Sequence, residues 1–327
     1  MLDIIPDIHG RADRLEAALR ALGYAERNGA WRARGRTALF LGDLIDGRAS
    51  EEARTLSIVR AMVEAGTARC LMGNHELNAI HYHWPKDEGG PLRPHDEKNW
   101  EQHAAFLAEH PLGSPEAREA IDWMMALPLA VEIEDLRAVH ACWSEDAIVT
   151  IRKHGEVHES DGARALHLGR EALRAAAMPT KKQKEGGAVP TPLAHATETA
   201  LKGPEVPLPD GASFRDKTGH ERHDVRIAWW REGARTYRDA AISVPPDRME
   251  RIPDVPLASS VPIYPADAPP VVFGHYWMTW PGDLTLPQAP NALCLDFSAG
   301  RDGPLVTYAH EEGAPLDTAR LRKHDGG

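Results

Sequence analysis

An α/β fold is predicted, and two observations predict it. Short apolar runs alternate with helical stripes through the first third of the chain. The later half carries apolar runs and turns with little helix between them.

Leu2 to Ile5 is an apolar run of strand length. Leu15, Ala18, Leu19 and Leu22 then recur at helical spacing, and Gly23 ends that helix. Thr37 to Leu41 is a second buried strand. The next helix carries Leu56, Val59 and Met62 or Val63 on its apolar stripe. Glu51 and Glu52 suit its N-terminus through the helix dipole, and Gly66 stops it. Ala68 to Met72 is the third strand. Strand, helix, strand, helix, strand implies parallel pairing with right-handed crossovers, and ligands bind beyond the C-terminal ends of such strands.

From Asn78 to Ala126 the chain reads as helical and polar, and Leu136 to Val139 as a strand. The stretch from Lys153 to His223 is rich in loop residues, and it is expected to be an insertion or cap within a single domain spanning 1–327. It carries an expected helix over Ala163–Ala177 and a lysine cluster, Lys181, Lys182 and Lys184. Strands are expected at Val225–Trp229, Val271–Phe273, Ala292–Leu295 and Leu305–Tyr308. The polar tail after Leu321 is expected to fray.

Composition narrows the function classes. The formal net charge is -11, which makes nucleic acid a poor partner and favours divalent cations. Three widely spaced cysteines, Cys70, Cys142 and Cys294, form neither a disulfide framework nor a zinc pattern. No run suits a membrane span, and Met1 to Pro6 lacks the features of a signal peptide, so a cytoplasmic location is expected. Oligomeric state is not readable.

Metal-type residues follow five of the strands. Asp7 and His9 lie in Asp7-Ile8-His9-Gly10. Asp43 and Asp46 lie in Gly42-Asp43-Leu44-Ile45-Asp46, and Asn74 and His75 in Gly73-Asn74-His75-Glu76. His140 closes the fourth strand, and His275 follows a late one in Phe273-Gly274-His275. Each piece alone reads as a turn, a cap or a hydrogen-bonded histidine, and most of the 17 histidines are not ligands. His81-x-His83 is one such case, read as a packed or solvated face. What carries the argument is five pieces in one order, each just past a strand. Asp, Asn and His without thiolate suit manganese, iron or zinc, and this set exceeds what one ion with open positions needs. Two ions sharing a carboxylate would use it, and such pairs clamp phosphoryl groups.

The order Asp-x-His, Gly-Asp-x-x-Asp, Gly-Asn-His-Glu, Val-His, Gly-His resembles the calcineurin-like metallophosphoesterases, in particular the bacterial phosphoprotein phosphatase branch. The resemblance implies a central β-sandwich of two mixed sheets flanked by helices. It implies two divalent metal ions, with Asp7 and His9 on the first, Asp43 bridging, and Asn74, His140 and His275 on the second. By the same resemblance His75, oriented by Asp46, protonates the leaving group while a metal-bridging hydroxide attacks. Asn74 and an arginine hold the substrate phosphate. Arg231, after Trp229-Trp230, is either that arginine or a surface arginine. Two departures stand out. Pro6 replaces a glycine, and Asp46-Gly47-Arg48 replaces Asp-Arg-Gly, which puts phosphate contact by Arg48 in question. Asp296 is read as a turn aspartate before a ligand-supporting one, and Cys142 is given no role. The expected activity is hydrolysis of a phosphomonoester, on a phosphoprotein or a small molecule. The alternatives are a dinucleoside polyphosphate hydrolase and, further back, a non-catalytic metal-stabilised scaffold.

Overall fold

Alternation along β1 (Leu2–Ile5) sets the architecture. Ile4 and Ile5 are both fully buried but belong to different apolar clusters, as the opposite faces of a strand require. The computed structural model describes residues 1–47, 51–86, 89–180, 183, 185–216, 219–258, 261–280 and 287–324. Arg48 and the lysines Lys181, Lys182 and Lys184 lie outside the described residues.

The first sheet holds five strands in the order β18-β17-β1-β4-β5. β4 is Thr37–Phe40, β5 Ala68–Cys70, β17 Leu305–His310 and β18 Leu321–His324. β1, β4 and β5 run parallel, as the βαβαβ reading requires, while β17 and β18 pair antiparallel. The second sheet has six strands, β16-β15-β7-β6-β9-β8. Here β6 is Ala130–Ile133, β7 Leu136–Val139, β8 Glu156–Ser160, β9 Ala163–His167, β15 Val271–Phe273 and β16 Ala292–Cys294. β7, β15 and β16 are parallel and the others antiparallel.

The sheets face each other through one apolar cluster. Ile4, Leu39 and Tyr308 come from the first sheet, and Val131, Ala138 and Val272 from the second. The alternate residues turn outward to helices. Ile5 and Phe40 share a core with Leu15 and Leu19 of α1 (Ala12–Ala21) and with Leu56, Val59 and Met62 of α2 (Glu52–Glu64). Val139 and Phe273 share it with Ile148 and Ile151 of α6 (Glu145–His154). The middle of the chain is helical as expected, with α3 (Asn74–His83), α4 (Glu97–Glu109) and α5 (Pro115–Met125).

Two expectations fail. The helix expected over Ala163–Ala177 is strand β9 followed by a short helix, α7 (Arg170–Ala175). Asp161 and Gly162 both have positive φ and close a two-residue hairpin between β8 and β9, in which Ser160 pairs with Ala163. The tail does not fray directly after Leu321. Leu321–His324 is β18, and Thr307 Oγ1 lies 2.8 Å from His324 Nε2.

Within 153–223, β8 and β9 belong to the second sheet. Farther on, α8 (Pro192–Lys202) packs against α6. The strand Glu205–Pro207 joins Asp224–Ile227 and Ala241–Ile242 in a separate small sheet. Among the described residues no helix is long and apolar enough to cross a membrane.

Candidate metal centre

Parallel strands deliver the polar loops to one end of the sandwich. Asp7 and His9 follow β1, Asp43 follows β4, and Asn74 and His75 open α3 just after β5. His140 follows β7, His275 follows β15 and Asp296 follows β16. The loops bend sharply. His9, Asp43, Asp46, His275, Trp277 and Ser298 all hold positive φ, a conformation that costs a side-chain-bearing residue of order 1–3 kcal/mol. Gly274 allows a close approach, because a Cβ there would overlap Asp7 Oδ2.

Asp43 is the hub. Its Oδ2 lies 3.9 Å from His9 Nε2, 3.9 Å from His75 Nε2 and 3.3 Å from His140 Nε2. Its Oδ1 accepts the backbone N–H of His75 at 2.9 Å. Tautomers follow from the other ring nitrogens. His9 Nδ1 bonds Ile45 O at 3.0 Å and His140 Nδ1 bonds Leu41 O at 2.8 Å. A carbonyl only accepts, so each Nδ1 carries the hydrogen and each Nε2 is free to bind.

A neutral His140 then aims its Nε2 lone pair at Asp43 Oδ2 and at Asn74 Oδ1, each 3.3 Å away. Three acceptors converge, so a proton or a metal ion must lie between them. Burial lowers the His140 pKa, but Asp43 outweighs it and the group is pushed up to about 10. Four further buried atoms have no hydrogen-bond partner among the described residues: Asp7 Oδ2, His9 Nε2, and both ring nitrogens of His275. Burial, then the nearby His75, brings His9 down to about 4, and burial holds His275 well below the usual histidine range. Neutral imidazoles beside unpartnered carboxylate oxygens are what divalent cations require. His9, Asp43 and His75 form one group with ligand atoms within 4.8 Å of one another, and Asp43, His140 and His275 form a second. Asp7 stands beside these groups, its Oδ1 accepting the His275 backbone N–H at 3.0 Å. Burial and the Asp296 carboxylate push Asp7 well above the carboxylate range, and a cation would reverse that.

His75 has a second partner. Its Nδ1 meets Asp46 Oδ2 at 3.0 Å. Burial lowers the His75 pKa, yet Asp43 and Asp46 together raise it to about 9. Arg231 is not drawn in: its Nη1 donates to Asp239 O at 2.8 Å, and none of its described hydrogen bonds reaches the cluster. Asp296 is a turn aspartate that also ties two loops, accepting from Ser298 N at 2.9 Å and Trp277 N at 2.7 Å. His81 and His83 are packed, His81 bonding Leu173 O and His83 bonding His103.

Sequence reasoning missed several supports. Glu76, the last residue of Gly73-Asn74-His75-Glu76, is one of them. Its carboxylate accepts the N–H groups of Asp43, Leu44 and Gly73, each at 2.8 Å. Glu52, expected to serve the N-terminus of α2, instead accepts from Asp46 N and Gly47 N, and Glu109 caps that helix. Trp277 stacks on His9 at 5.0 Å, and the Arg301 guanidinium lies over the Trp277 ring at 4.6 Å. Its position two residues past His275 was the available signal.

Fold and site together define a class: the chain belongs to the calcineurin-like phosphoesterases, whose family model matches residues 2–181, just over half of it. A curated relative, the asymmetrical bis(5'-nucleosyl)-tetraphosphatase PrpE of Bacillus subtilis, is 39% identical over 74 residues, 22% of this chain and 30% of the relative. Its counterpart in Oceanobacillus iheyensis is 35% identical over 75 residues. The chain thus spans about 30% of the length of these relatives. Among solved structures, a cold-active protein-tyrosine phosphatase of a psychrophilic Shewanella is 16% identical with a TM-score of 0.45, over 94% of this chain and 75% of that one. A protein serine/threonine phosphatase of Saccharomyces cerevisiae is 13% identical at the same TM-score, over 99% and 79%.

Proposed function

We propose that the protein is a dinuclear metal-dependent hydrolase of phosphomonoesters, acting on a phosphorylated protein or small molecule. The carrying observation is the convergence of three imidazole nitrogens within 3.9 Å of one buried oxygen of Asp43. In this reading Asp7, His9 and Asp43 hold one ion, and Asp43, Asn74, His140 and His275 hold the other. Manganese is the proposed metal, with iron and zinc as alternatives of similar ligand chemistry. When bound, two such ions supply an acidified water nucleophile and offset charge on the phosphoryl oxygens.

The chain's own groups do the rest. Asp46 accepts from His75 Nδ1, which leaves the Nε2 proton of His75 facing the site. That proton goes to the departing oxygen, so the ester leaves as an alcohol. Asn74 contacts the phosphoryl group as well as the metal. Arg231, whose Nη1 holds Asp239 O, keeps further N–H donors that would serve the phosphoryl oxygens if its side chain turns toward the site.

A second reading, cleavage of a phosphoanhydride, is favoured by what the Bacillus and Oceanobacillus relatives are named to cleave. One experiment separates the two. Metal-stripped protein is given manganese and offered p-nitrophenyl phosphate or diadenosine tetraphosphate, beside Asp43→Asn. Manganese-dependent release of nitrophenolate, lost in Asp43→Asn, supports the monoesterase. Turnover of the dinucleotide alone overturns it in favour of the anhydride reading.

A further inference from the structure

We propose that His103 is a positioning residue for the general acid, fixing the carboxylate of Asp46 from the side opposite His75. The inference rests on the reading of His75 as the proton donor.

Asp46 is shared by two imidazoles. Its Oδ2 meets His75 Nδ1 at 3.0 Å and its Oδ1 meets His103 Nδ1 at 2.7 Å. A carboxylate that serves both rings can only accept, so His103 carries its hydrogen on Nδ1. One hydrogen bond leaves a carboxylate free to swing about its terminal torsion, which has a broad minimum. A second donor on the other oxygen fixes its plane, and with it the ring of His75. His103 is itself immobilised. It is 3% exposed, stacks on Phe106 at 4.8 Å, and receives His83 Nε2 at 3.2 Å on its own Nε2.

The helix bearing His103 grips the same turn by a second route. Glu109, also on α4, accepts the N–H groups of Glu52 and Ala53. Glu52 in turn accepts those of Asp46 and Gly47 at 3.0 and 3.1 Å. Asp46 holds a φ of 63°, so its turn needs such external support. His103 has no described hydrogen bond to a proposed metal ligand. Its effect on the reaction therefore runs through Asp46 and His75.

The test uses the manganese-loaded full chain and two substrates. Phenyl phosphate needs a proton on its departing phenolate oxygen, whereas 4-nitrophenyl phosphate expels 4-nitrophenolate readily without one. His103→Phe keeps the ring but loses the donor. It is expected to lower kcat on phenyl phosphate about 10–100-fold and on 4-nitrophenyl phosphate less than about 3-fold. KM and two-metal content should hold. His103→Asn places an amide N–H where Nδ1 was and should recover most of the loss. If His103→Phe does not fold, His103→Gln decides, since its amide donor lies beyond reach of Asp46 and should show the same selective loss. His75→Asn is the reference. Selective loss in His75→Asn, with an equal fall on both substrates or none in the His103 variants, overturns the inference and leaves the general acid standing. No selectivity in His75→Asn itself removes the general acid, and the positioning role falls with it.

Discussion

Glu76→Gln tests how the hub of the site is held. Glu76 is fully buried, and its two oxygens accept three backbone N–H groups at 2.8 Å, from Asp43, Leu44 and Gly73. Oε2 serves Asp43 and Gly73, and Oε1 serves Leu44. A glutamine in the same place presents one oxygen and one NH₂. Its better orientation keeps the Oε2 pair and turns an amide donor onto the Leu44 N–H. One hydrogen bond is lost with its donor left buried, at about 1–3 kcal/mol. The surviving two fall from charge-assisted to neutral strength, about 1 kcal/mol each. The sum is about 3–5 kcal/mol, a large part of a typical domain's stability of about 5–15 kcal/mol. Burial, then Asp43, push the Glu76 pKa up to about 7, so urea denaturation of the metal-free protein at pH 8.5, where the carboxylate is ionised, measures it directly. Metal affinity should fall as well, because the Asp43 backbone rests on this carboxylate. A loss below about 1 kcal/mol, with metal affinity unchanged, would refute the claim that Glu76 anchors both loops.

Other predictions follow from the same geometry. Asp43→Asn should reduce metal content from two equivalents per chain, measured by elemental analysis, and abolish turnover. Retention of both ions with full activity would exclude a bridging role. Gly274→Ala should displace Asp7, because the new Cβ would overlap its Oδ2, and should lower kcat/KM more than about 10-fold in a folded protein; unchanged kinetics would show the loop yields freely. The metal-free protein should lose stability as pH rises. His75 and His140 stand at about 9 and about 10 when folded, against about 6.5 unfolded. Raised folded values mean that their contribution is complete below pH 6.5 and lost through pH 9–10. A denaturation midpoint that stays flat from pH 7 to 10 would contradict this. Loading metal at pH 7 should release protons, read with a pH indicator, as the ion replaces the His140 proton.

The readable parts of the chain were those where one strand ends in one short motif. Asp7, Asp43, Asn74, His140 and His275 could be picked out because each follows an apolar run, and the parallel start explained why they would meet. What could not be read lies across the chain. Beyond its local bond to Gly73, Glu76 faces residues 32 and 33 positions away, and His103 meets Asp46 over 57 positions, with no local pattern to mark these long contacts. The β8–β9 hairpin was different, since its signal was present. Asp161-Gly162 is a favoured two-residue turn, and it opens a strand where a helix is expected over Ala163–Ala177. The tail misled for a converse reason. Leu321–His324 is polar because it forms a sheet edge, where charged side chains are tolerated.

The strand order also sets a timetable for biosynthesis. β1, the strand that ends at the first proposed ligands, lies between β4 and β17, and Asp7 bonds the backbone of His275 across 268 positions. At about 5–20 residues per second, a ribosome needs about 13–54 s between making the two. Until then the nascent chain carries only half of the proposed cation site, and the second edge of β1 stays unpaired until Leu305–His310 follow. Completion of the pocket thus waits on the synthesis of His275, and the metals that fill it are those available after that point.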